Sequence, residues 1–100
     1  MDCRIVWSKT ALADLRDLVR YIAADDRETA RRFGERIVSK VEGLSLFPRM
    51  GRMVPELRDD LLREVVLPPY RIIYELDEAG TMLSVLRIWH GARGKPDLET

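Results

Sequence analysis

The chain reads as an α+β domain in the order β-α-α-β-β-β, a helical hairpin packed on one face of a small, mainly antiparallel sheet. Three observations predict it. Two successive segments repeat apolar residues at helical period, three later segments are β-rich runs, and the links between those runs are too short for crossovers. The 100 residues suit one domain spanning 1–100, a size at which a core forms without disulfides or metal.

The elements follow in order. Cys3 to Trp7 (C-R-I-V-W) is a short β-rich run, ended by Ser8. Ser8 or Thr10 caps a first helix, whose stripe is Leu12, Leu15, Leu18, Val19 and Ile22 and which runs to about Ala24. Asp25 and Glu28 have capping-box spacing and start a second helix, with Ala30, Phe33, Ile37, Val38, Val41 and Leu44 on its apolar face. Pro48 forces that helix to stop by Phe47. Gly34, beside Phe33 and Ile37, costs about 1 kcal/mol relative to alanine in mid-helix, which a close contact between the helices would explain.

Phe47 to Asp60 carries Pro48, Gly51 and Pro55 and reads as a loop. Leu62 to Leu67, Tyr70 to Leu76 and Met82 to His90 are strands, separated by Pro68-Pro69 and by Asp77 to Gly80. The helical hairpin covers one sheet face, and the other is expected to stay open.

Charge limits the function. There are 17 Lys+Arg against 17 Asp+Glu, whereas a domain gripping nucleic acid by bulk charge is strongly basic. Residues 1–60 hold 12 cations and 11 anions and residues 61–100 hold 5 and 6, so neither part has a basic excess. Only Lys9, Lys40 and Lys95 are lysine, which leaves 14 arginines, the cation suited to fixed bidentate contacts. A single cysteine, Cys3, excludes an internal disulfide and a Cys-based zinc site. No glycine-rich phosphate loop, His-x-x-x-His or G-x-S-x-G is present, so no cofactor and no metal are expected. No apolar run is long enough for a membrane span or signal sequence, and a cytoplasmic location is expected.

Alternation along the strands places Arg71 and Arg87 on the face away from the helices, with Arg63 expected to join them and Trp89 beside them. Such arginines are ordinary on a solvated sheet face, where Glu64, Glu75 or Asp77 can pair with them. His90 ends the last strand. Its ordinary pKa near 6.5 suits acid–base work, and a strand-end hydrogen bond to backbone suits it as well.

An ordered set of motifs resembles the RelE/ParE toxin superfamily of type II toxin–antitoxin systems. It comprises W-S-x-x-A-x-x-D-L (Trp7 to Leu15), Y-I (Tyr21-Ile22), F-P-R-M-G-R-M-V-P-E-L (Phe47 to Leu57), R-E-V (Arg63 to Val65), Y-R-I-I-Y (Tyr70 to Tyr74) and R-I-W-H-G-A-R (Arg87 to Arg93). The resemblance implies a bacterial growth-inhibiting toxin, held in a hetero-oligomer by a cognate antitoxin that covers the helical hairpin and a sheet edge. It also implies one of two targets. A RelE-like chain is a ribosome-dependent mRNA endonuclease, and Arg63, Arg71, Arg87 and His90 would then be catalytic. A ParE-like chain inhibits DNA gyrase, with Arg63, Arg71, Arg87, Trp89 and Arg93 as target-binding residues. The P-R-M-G-R-M-V-P-E-L loop (Pro48 to Leu57), the H-G-A-R ending, Gly91 after His90 where several nucleases place a tyrosine, and the zero net charge favour the ParE side.

Overall fold

The computed structural model describes residues 2–98. It has seven main elements: β1 (Arg4–Trp7), α1 (Lys9–Ala23), α2 (Arg27–Glu42), β2 (Arg52–Met53), β3 (Leu62–Leu67), β4 (Tyr70–Leu76) and β5 (Met82–His90). One sheet runs in the order β1-β5-β4-β3-β2. β1 lies parallel to β5 and every other pair is antiparallel, so the sheet is mixed and the α+β class stands. The segment expected to be wholly loop contributes β2, which pairs Arg52 with Glu64 and Met53 with Arg63. Two residues between Gly51 and Pro55 are too few to carry a strand signal.

Ser8 starts α1. Its Oγ accepts from the Ala11 N–H at 2.9 Å and donates to the Leu86 carbonyl at 3.1 Å, so one hydroxyl caps the helix and ties it to β5. The α2 cap is Asp26, one residue beyond the expected Asp25, and it accepts from the Glu28 and Thr29 N–H groups. Asp25 instead belongs to the turn that follows α1, with its N–H on the Ile22 carbonyl. Glu28 pairs with Arg31 and closes no capping box. The hairpin packs tightly where Gly34 meets α1, since a Cβ there would lie 3.2 Å from Val19 Cγ2.

The main core lies between the hairpin and the sheet. Ala11, Leu18, Ile37 and Val41 from the helices meet Val65, Leu67, Ile72, Tyr74, Leu76, Leu83, Val85 and Ile88. The other face is not open, which corrects the expectation. Val54, Ile73 and Trp89 form a second cluster there, covered by Leu57, Leu62 and Leu98. The loop before β3 and the C-terminal segment therefore fold back over the sheet.

A bulge in β5 decides which side chains face which way. Ile73 pairs with Arg87 but Tyr74 pairs with Val85, so Leu86 has no partner in β4. Leu83 and Val85 face the helices, while Arg87 and Trp89 face away. The bulge sits where β1 ends, and there Ser8 takes the Val85 carbonyl with its N–H and the Leu86 carbonyl with its hydroxyl.

Candidate functional site

Arg71, Arg87 and Trp89 come together on the sheet face away from the helices, with Arg71 directly across from Trp89 and Arg87 across from Ile73. Arg93 joins from the turn after β5, its guanidinium 4.0 Å from the Trp89 ring centroid. Arg63 does not join them, which corrects the expectation of one three-arginine patch. It pairs across from Tyr74 and so shares the helix-side face with Val65 and Leu67. His90 pairs across from Tyr70 and also lies on the helix side, separated from Arg71 and Arg87 by the sheet.

Arg63, Arg71 and Arg87 are each committed within the chain. Arg71 clamps Glu56 through Nη1 at 2.9 Å and Nη2 at 2.8 Å, and its Nε donates to Glu64 at 2.7 Å. The Glu64 side chain is fully buried and accepts a second guanidinium, from Arg52, at 2.6 Å. The Arg71 contact holds the Glu56 carboxyl down at about 2, and the two glutamates raise the Arg71 pKa, led by Glu56. Arg87 grips Asp14 of α1 through Nε at 2.9 Å and Nη2 at 3.1 Å, while Nη1 donates to the Asp97 carbonyl at 2.8 Å. Arg63 donates to the Gly51 carbonyl at 2.9 Å and to both the carboxylate and the carbonyl of Asp60. The side chains of Arg63, Arg71 and Arg87 are only 15 %, 12 % and 12 % exposed.

Chemically, these are clamps. Arg71 fastens the loop before β3, Arg87 fastens α1 and the C-terminal segment, and Arg63 fastens the turn at Gly51. Trp89, 4 % exposed, stacks within the chain and donates Nε1–H to the Gly94 carbonyl at 3.1 Å. His90 accepts the Ala92 N–H on Nδ1 at 3.1 Å, which leaves its ring proton on Nε2, and it meets Tyr70 edge-on at 5.2 Å.

Sequence reasoning missed two surfaces. Leu46, Phe47 and Met50 are 64 %, 66 % and 57 % exposed on a loop whose backbone is pinned from inside. Buried Tyr74 donates its hydroxyl to the Pro48 carbonyl at 2.7 Å and accepts the Gly51 N–H at 3.0 Å. The second is a cleft of about 530 Å³ lined by Tyr21, Ile22, Thr29, Phe33, Pro69, Tyr70 and His90. The Phe47 to Leu57 motif signalled the first surface. The cleft joins four distant segments, and no local spacing announces it.

Comparison with known proteins places this geometry. A family described as the ParE toxin of type II toxin–antitoxin systems, parDE, matches residues 5–94. The chain belongs to that family. It is 33 % identical over 90 residues to toxin RelE2 of Caulobacter vibrioides, covering 90 % of this chain and 97 % of that one. It is 32 % identical over 85 residues to the putative toxin Y4kP of Sinorhizobium fredii, covering 83 % and 85 % of the two chains. Its fold resembles a chain of the chromosomal ParDE system from P. aeruginosa, with a TM-score of 0.71 at 23 % identity over 88 % of this chain and 95 % of that one. It also resembles a chain of the RelBE2 toxin–antitoxin complex of Mycobacterium tuberculosis, with a TM-score of 0.66 at 22 % identity over 90 % and 99 %. The protein is thus a type II toxin of the ParE/RelE group, on a scaffold that ParE- and RelE-named chains share.

Proposed function

We propose that this ParE-family toxin arrests growth by acting on DNA gyrase and does not cut RNA. The observation that carries the reading is the commitment of Arg63, Arg71 and Arg87 to the chain's own carboxylates and carbonyls. Cleavage of RNA through a phosphorane needs cationic side chains free to meet the developing charge, beside a general base. Here the three guanidiniums are mostly buried and occupied, and His90 lies across the sheet from two of them. The family match over residues 5–94 points the same way. The 33 % identity to a protein named RelE2 favours a second reading, a ribosome-dependent mRNA endonuclease.

The toxin is held in check by a cognate antitoxin in the cytoplasm. The P. aeruginosa and M. tuberculosis neighbours come from toxin–antitoxin systems. A shallow groove of about 450 Å³ between α1 and α2 offers the apolar side chains Leu15, Val19, Ala30 and Val38, with Arg31, Glu35 and Glu42 also lining it. Such a groove takes the apolar face of a helical or extended partner segment.

The test runs two assays side by side with the purified toxin. Inhibited supercoiling or trapped cleaved DNA, with intact mRNA on ribosomes, is the expected outcome. Codon-linked mRNA cuts with unaffected gyrase would replace this reading by the second.

A further inference from the structure

We propose that the cleft between the helical hairpin and the β3–β4 turn binds a single strand of DNA, seating an unpaired base among its rings while the phosphates run along α2. Four rings surround the cleft: Tyr21, Phe33, Tyr70 and His90. Phe33 lies 5.7 Å from Tyr70, and Tyr70 lies 5.2 Å from His90. Tyr21 is 72 % exposed at the rim, which leaves its ring free to stack on an incoming base. A cavity of 530 Å³ lies in the range that accommodates small organic ligands.

The cleft opens directly onto a cationic flank. Thr29 and Phe33 also line an adjoining hollow, whose other walls are Arg32 and Arg36. Lys40 continues the row one turn further along α2. Like charges spaced four residues apart on a helix weaken it, yet none of these three has a carboxylate at ion-pair distance among the described residues. Asp26 and Glu28 attract Arg32 only at longer range. The contrast lies on the same helix, where Arg31 is paired with both Glu28 and Glu35. Among the described residues no carboxylate lines either hollow, in a chain whose charges balance overall.

An aromatic platform beside a row of cations one helical turn apart, with no carboxylate on them and with Arg36 5.8 Å over the Phe33 ring, is the pattern that holds single strands, by stacking and phosphate contact, without reading sequence. An acidic peptide would satisfy the cations but would leave four rings with little to stack on. The choice of DNA rests on the gyrase reading, since gyrase acts on DNA, and the choice of a single strand rests on the exposed rings. Binding is measured without gyrase, so the two readings fail separately.

The experiment is fluorescence anisotropy of the purified toxin, free of antitoxin, with labelled twelve-residue oligothymidylate across a salt series. Oligouridylate, the matching duplex and a tyrosine-bearing oligoglutamate peptide serve as competitors. Oligothymidylate is expected to bind best, with a slope of log affinity against log salt of about −2 for three phosphate contacts. Arg32→Gln with Arg36→Gln should reduce that slope by about 1.4. Tyr21→Ala should weaken binding about fivefold or more with the slope unchanged. All three positions are exposed, so the fold survives, and Arg4→Gln on β1 is the control expected to bind as the parent does. Absence of binding, an equal loss in Arg4→Gln, or tighter binding of oligouridylate, duplex or peptide would each overturn the proposal.

Discussion

Asp14 on α1 and Arg87 on β5 form a two-point clamp, with Arg87 Nε 2.9 Å and Nη2 3.1 Å from the carboxylate. The same carboxylate accepts the Ile88 backbone N–H at 3.0 Å. β1 pairs with β5 only as far as Val85, so Ile88 lies on a stretch of edge that β1 leaves unpaired. A helix side chain thus supplies the acceptor that a longer strand would have given. Asp14→Ala leaves a guanidinium that is 12 % exposed with only the Asp97 carbonyl and the Trp89 ring, and leaves a backbone donor without its acceptor, and is expected to cost about 3 kcal/mol. Urea unfolding followed by tryptophan fluorescence measures it. A loss below about 0.5 kcal/mol would show that the clamp contributes nothing net.

The turn at Gly51 has no room for a side chain. A Cβ there would lie 2.5 Å from both the Glu64 carbonyl oxygen and the Tyr74 hydroxyl. Gly51→Ala is expected to destabilise by about 2–3 kcal/mol, as overpacking in a close contact does. Tyr74→Phe removes the hydroxyl that serves both Gly51 and Pro48, with an expected loss of about 1–3 kcal/mol. Both variants should also loosen the Phe47–Met50 loop, read as faster proteolysis there than elsewhere. Parental cleavage rates in both would contradict the pinning.

The helices and the three long strands were legible in the sequence because each rests on local periodicity. The Leu15 to Ile22 part of the stripe and the Ser8 cap needed no knowledge of distant residues, whereas Leu12, expected on the same stripe, is 51 % exposed and outside the core. What escaped depends on chain segments meeting. Alternation puts Val85, Arg87 and Trp89 on one face, and only the bulge at Leu86, whose carbonyl accepts the Ser8 hydroxyl from the end of β1, separates Val85 from the other two. The strand arginines were found, but not their role. Glu56 and Asp14 lie 15 and 73 residues from Arg71 and Arg87 in sequence, and only the folded chain brings them together.

Acid should loosen the loop before β3. Arg71 holds the Glu56 carboxyl at about 2 against an ordinary 4.5. A carboxyl lowered in the folded chain contributes stability above its unfolded pKa and loses it as the pH falls through the folded one, here between about 4.5 and 2. Asp60, lowered by Arg49, and Asp77, lowered by Thr81, act with the same sign. Glu56→Gln should be less stable than the parent at pH 7 and lose less between pH 4.5 and 2. Chemical unfolding at stepped pH checks this, and parallel curves for the two proteins would contradict it.

Arg71 distinguishes a structural clamp from a working cation. As a solvent-facing catalytic group it would be replaceable without harm to the fold. As observed, its removal leaves the fully buried Glu64 carboxylate with only Arg52, whose side chain is 62 % exposed. Arg71→Ala is therefore expected to cost about 3–5 kcal/mol, the penalty of an under-compensated buried charge. Arg93→Ala, which removes only an exposed guanidinium stacked on Trp89, should cost about 0.5–1 kcal/mol. Replacing Arg71 by Met and Glu64 by Leu together removes both buried charges and should recover at least half of the Arg71→Ala loss. Urea midpoints of the three variants measure this. A stable Arg71→Ala, or a double variant no better than the single, would mean that the network does not hold the loop against the sheet.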